Sequence, residues 1–137
     1  MTELINNRVH DYYWKQNINC AITTIKILAE LYHIKINPQV MEAAIGMNGA
    51  GRFGSQCGLV EGALMFIGIY GSYKGHEKEE IVRFCNEFSK EFQQIFGSLL
   101  CRELRPQGFS SDNPPHICEA ITQRAVDYSS DFISKKL

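Results

Sequence analysis

The chain has 137 residues, 45% of them hydrophobic, which suits one domain with a sizeable core. Fourteen basic residues against fifteen acidic give a formal net charge of −1, with no lysine- or arginine-rich block, so neither nucleic acid nor anionic membrane is an expected partner. Five cysteines, an odd count, argue against a fully paired disulfide scaffold.

The opening stretch MTELINNRVHDYYWKQ lacks the apolar core and the cleavage site of a secretory signal, and a cytoplasmic location is expected. In a reducing cytosol several cysteines point to redox work, metal ligation or packing. Helical periodicity runs through nearly the whole chain, without sustained alternation or Asn-Gly hairpin signals, which predicts an all-α bundle forming one domain over residues 1–137.

In chain order, a modest helix is expected over Leu4–Lys15, with Val9, Tyr12 and Tyr13 against a core edge. A second runs over Ile18–His33 with Ala21, Ile25, Leu28 and Tyr32 on one face, capped by Asn17 or Asn19. Pro38 starts a short helix to about Ile45. The segment GMNGAGRFG, residues 46–54, carries four glycines and reads as a loop in conformations closed to other residues. Ser55 then caps a helix to about Tyr70 that is apolar nearly all round and reads as the buried centre. Glu61 and Gly62 interrupt its apolar run, which is too short to span a membrane. Gly58 and Gly62 share a side of this helix and would let a neighbour approach closely.

His76–Phe96 is strongly amphipathic, with Ile81, Phe84, Phe88 and Phe92 inward and Cys85 bordering that stripe. Gly97 ends it, Ser98 caps a short helix through Leu104, and Pro106 stops that one. After a polar loop, Asn113-Pro114-Pro115 signals the last helix, whose inward face holds Cys118, Ile121, Ala125, Tyr128 and Phe132.

These assignments put Cys20, Cys57, Cys101 and Cys118 near the starts of four separate helices, where the positive end of the helix dipole favours a thiolate. Cys85 lies in mid-helix. No CxxC pair occurs, so any shared site must be assembled by the tertiary fold. At least three of the four sulfurs are then expected to face one pocket beside the glycine loop, with Cys85 outside it. Cys57 is expected to be the most reactive thiol, with the helix terminus outweighing desolvation.

The glycine loop leading into CGLVEGALMFIG, with NCA upstream and FGSLLC and HIC downstream, resembles the C_GCAxxG_C_C family of redox-active proteins. The resemblance covers most of the chain and sets Cys20, Cys57, Cys101 and Cys118 on the four signature positions. Leu59 departs from the pattern, which has alanine after Cys-Gly. The resemblance implies a redox or cluster site without a defined substrate.

Two chemistries follow. In one, the four cysteines are catalytic in thiol–disulfide exchange with a cytosolic redox partner, as in a thiol–disulfide oxidoreductase or electron carrier. In the other, the same four bind an iron–sulfur cluster or zinc. A packing or adaptor domain without chemistry is the third reading. A homodimer is compatible with any of them.

Other residues carry weaker signals. His116 could be a metal ligand or proton carrier, and reads more simply as a solvated residue at a helix start. Glu61 could accept a proton from Cys57 or snorkel at the surface. Arg52 and Phe53 could meet an anion, but there is no Walker pattern and no preceding strand to suggest a nucleotide. His10, His33 and His76 have no partner visible in the sequence.

Overall fold

The computed structural model describes residues 1–105 and 107–137; the helix stop expected at Pro106 lies outside the described residues. Eight helical segments are present among them: α1 (Thr2–Trp14), α2 (Cys20–Tyr32), α3 (Pro38–Ala43), α4 (Gly49–Arg52), α5 (Gly58–Tyr73), α6 (Lys78–Phe96), α7 (Cys101–Leu104) and α8 (Glu119–Lys136), the last preceded by a 3-10 turn, Pro115–Cys118. The fold is all-α, and no helix among the described residues is long and apolar enough to cross a membrane.

The core joins Ile5, Val9 and Tyr13 of α1 to Ile27 and Leu28 of α2, Val60, Ala63, Phe66 and Ile67 of α5, Phe88 and Phe92 of α6, and Val126, Phe132 and Ile133 of α8. Phe88 and Phe92 of α6 and Ala125 and Phe132 of α8 are buried as their spacing predicts, while Val126 and Ile133, outside the expected face of α8, are buried too and Ile121 and Tyr128 only partly so. The buried centre is shared, however. α2 buries residues on nearly every face, whereas α5 leaves Met65, Gly68 and Ile69 lining an open groove with α3.

α2 begins at Cys20 because the Asn19 side chain accepts the Ile22 N–H at 2.8 Å. The Asn19 amide also donates to the carbonyls of Ala44 (3.1 Å) and Ile45 (2.8 Å), tying the end of α3 to the start of α2. The glycine pair on α5 faces α2. A Cβ at Gly62 would lie 2.5 Å from the Ala21 carbonyl oxygen, and one at Gly58 would meet the Met47 carbonyl at 2.8 Å and the Cys20 sulfur closer still. Only glycine at both positions lets α5 rest on the first turn of α2.

α5 begins two residues later than expected, with Cys57 rather than Ser55 at its cap position. The reason is long-range. Residues around Gln56 are extended and pair antiparallel with those around Leu100. The Cys57 N–H donates to the Leu99 carbonyl (2.8 Å) and the Cys101 N–H to the Ser55 carbonyl (2.7 Å). The same pairing delays α7, so Cys101 is its first residue rather than its third. Ser98 still serves that turn, accepting the Leu100 N–H at 3.0 Å.

Candidate functional site

Each of the four signature cysteines sits where a helix begins. Cys20 is the first residue of α2, Cys57 the cap of α5, Cys101 the first residue of α7, and Cys118 closes the 3-10 turn and caps α8. Packing α5 on the start of α2 brings Cys57 to Cys20, and the Gln56–Leu100 pairing brings Cys101 beside Cys57. α8 then supplies Cys118.

All four line one cavity of about 30 Å³, walled by Leu59, Leu104 and Ile121. It adjoins the glycine loop, since a Cβ at Gly49 would stand 3.3 Å from the Cys101 sulfur. Cys85 is not among the lining residues. Two depths are distinguishable: Cys57 and Cys101 are 6% and 7% exposed, while Cys20 and Cys118 are only half-buried. Cys20 and Cys118 also line a second cavity that opens toward solvent.

Arg105 is the residue that sequence reasoning passed over. It follows α7, and its Nε donates to the Cys101 sulfur at 3.5 Å. Its position four residues after Cys101 was the available signal. The guanidinium lies among the thiols, so it favours whichever of them ionises. The hydrogen bond with Cys57 pulls the Cys20 thiol below its ordinary pKa, Arg105 and the backbone N–H groups of Cys20 and Ala21 assist, and desolvation opposes.

Cys57 moves the other way. As the proton-holding partner of Cys20, and nearly buried, it is pushed well above the ordinary thiol range. The expected depression of the Cys57 thiol is not what the geometry favours: the neighbouring Cys20 and burial outweigh the Leu59 N–H, which lowers it, whereas Cys20 has Arg105 and two backbone N–H groups on its side. The two titrate as a pair, with one proton leaving early and the second late. Burial raises Cys118 to about 11, with Arg105 opposing, and burial also raises Cys85.

The other candidates lie elsewhere. Glu61 accepts a hydrogen bond from Gln56 and does not line the thiol cavity. His116 stacks on Trp14, ring centroids 3.9 Å apart, and His10 meets Glu119 at 3.1 Å. His33 ends α2 in a left-handed conformation, and His76 packs edge-on to Phe84.

Four thiols suit zinc or an iron–sulfur cluster in donor chemistry. Their arrangement does not. Among the described residues no three of His, Cys, Asp or Glu are placed to hold a metal ion, and 30 Å³ has room for a water or two rather than an iron–sulfur cube.

The class defined by these features is a small helical protein with four cysteines gathered from four helix starts. The chain belongs to the C_GCAxxG_C_C family: the family model described as "Putative redox-active protein (C_GCAxxG_C_C)" matches residues 18–132. No curated protein and no solved structure matches it. Leu59, which stands where the family pattern has alanine, is 1% exposed and fills part of the thiol cavity.

Proposed function

We propose that this protein carries out thiol–disulfide exchange, with Cys20 as attacking thiolate, Cys57 as resolving thiol, and Cys101 and Cys118 as a second dithiol in the same cavity. The observation that carries this reading is the one small cavity that all four cysteines line together with Arg105, in which Cys20 is held below the ordinary thiol range and Cys57 above it. A thiolate with a protonated thiol beside it is the resting state that exchange requires.

The reaction balances as follows. The Cys20 thiolate attacks one sulfur of a disulfide R–S–S–R, forming Cys20–S–S–R and releasing RS⁻. Cys57 gives up its proton and attacks the Cys20 sulfur, forming the Cys20–Cys57 disulfide and releasing a second RS⁻. Two thiols of the protein are oxidised, and the substrate is reduced by two electrons. A cytosolic dithiol restores the starting state. Arg105 lowers the cost of the first step by stabilising the thiolate, and the shallow position of Cys20 gives the substrate access.

The test is to stop the reaction halfway. Reduced Cys57→Ser protein exposed to a small disulfide is expected to accumulate a mixed disulfide on Cys20, read by intact and peptide mass. Cys20→Ser protein is expected to react at least tenfold more slowly. Accumulation on Cys118 or Cys85 instead would overturn the assignment.

A further inference from the structure

Beside the thiol cavity lies a second one, of about 60 Å³, with Cys20 and Cys118 on its inner wall. Its rim is polar in one sense only. Arg52 and Arg105 contribute positive charge, Asn17, Asn48 and Asn113 contribute amides, and no carboxylate lines it. The Arg105 Nη1 is buried with no hydrogen-bond partner among the described residues. A buried guanidinium N–H left unpaired is costly, and it marks a place where an acceptor is missing.

Arg52 reaches this rim at a cost in the backbone. Gly49, Ala50, Gly51 and Arg52 all have positive φ, at 74°, 56°, 66° and 65°, making one left-handed turn. Each residue with a Cβ costs about 1–2 kcal/mol there. The turn is closed by the Gly49 carbonyl, which accepts the N–H groups of Phe53 (3.0 Å), Gly54 (3.0 Å) and Ser55 (3.2 Å). A strained turn held this firmly positions something, and the charged side chain it carries lines the cavity next to Cys20.

We propose that this cavity receives the carboxylate end of a small anionic disulfide and holds the sulfur–sulfur bond against Cys20, which defines the substrate class. The inference rests on the reading of Cys20 as the attacking thiol. A volume of 60 Å³ accommodates a carboxylate with little else, so the rest of the substrate extends into solvent. Two guanidinium groups supply charge-assisted donors, the amides complete its shell, and the unpaired Nη1 gains its acceptor. The released anionic thiolate is stabilised by the same groups.

Two measurements test this separately from the exchange chemistry. The first is calorimetric titration of reduced protein with thiodiglycolate, a dicarboxylate thioether that cannot exchange, against its neutral diol counterpart. Saturable binding of the dicarboxylate alone is expected, weakened at least tenfold in Arg52→Gln and largely kept in Arg52→Lys. The second compares oxidation by dithiodiglycolate and by hydroxyethyl disulfide, each normalised to its rate with a free thiol. A preference of at least tenfold for the dicarboxylate is expected at low salt, falling toward one in Arg52→Gln.

Equal normalised rates, or no binding of thiodiglycolate, would overturn the anion pocket. If Cys57→Ser still traps a mixed disulfide on Cys20 in that case, the exchange reading stands without it. Conversely, thiodiglycolate binding that survives while Cys20→Ser oxidises at the wild-type rate keeps the pocket and removes the attacking thiol.

Discussion

Cys20 and Cys85 are both half-buried thiols packed against the same apolar core, yet their surroundings differ in everything that sets a thiol's chemistry. Cys20 opens a helix, faces a second thiol that donates to it, and has an arginine nearby. Cys85 lies in the middle of α6 with Phe84 and Phe88 beside it in sequence, and desolvation alone acts on it. Partial burial alone therefore does not set the direction in which a thiol's pKa moves. What decides is whether the fold spends helix starts, close glycine contacts and a cation around it. At the α6 end of the molecule the fold spends aromatic rings instead: Phe88 stands 5.4 Å from Phe132 and 5.1 Å from Tyr128.

The sharpest way to separate these two regions is to damage each in turn. Phe88→Ala empties the aromatic end and is expected to cost about 3–5 kcal/mol, read by denaturant unfolding. The protein that remains folded should keep a Cys20 that titrates below Cys85. Gly58→Ala strikes the other end. Its methyl group meets the Cys20 sulfur and two backbone atoms, so a loss of about 1–3 kcal/mol is expected together with loss of the Cys20–Cys57 disulfide on oxidation. Gly68→Ala on the same helix meets open space and should instead stabilise by about 0.5–1 kcal/mol.

A smaller effect tests the electrostatics. Arg105→Gln removes the cation, so the pH at which Cys20 becomes alkylated should rise while that of Cys85 stays fixed. The smallest effect concerns Cys118. Its folded-state pKa is raised to about 11, so its contribution to stability is complete below the ordinary thiol value and is lost as pH climbs from there toward 11. Cys118→Ser should flatten stability across that alkaline window.

Local signals in the sequence were enough to identify the helices and the cysteines at their starts. The Asn19 cap, the glycine after α6, the amphipathic stripe on α6 and the prolines before α8 are each readable within a few residues. What lay beyond reach was set by contacts between distant segments. The pairing of Gln56 with Leu100 shifted the starts of α5 and α7, and no alternation long enough to announce a strand accompanies a single bridge. The order of the thiol pKa values was likewise invisible, because the hydrogen bond between Cys20 and Cys57 joins residues on two helices and Arg105 arrives from a third segment. Gly58 and Gly62 were legible as a close-packing face, but not as the face that meets Cys20.

The central claim is that Cys20 and Cys57 are the working pair. It is tested most directly by equilibrating the protein, purified without oxygen, in dithiothreitol buffers of graded potential. Free thiols are then trapped by alkylation and the disulfides mapped by peptide mass. The expected result is a two-electron transition in which the Cys20–Cys57 disulfide forms first and Cys85 stays reduced throughout. A first disulfide that excludes Cys20 or Cys57, or four thiols that resist oxidation because they hold stoichiometric iron or zinc, would contradict it.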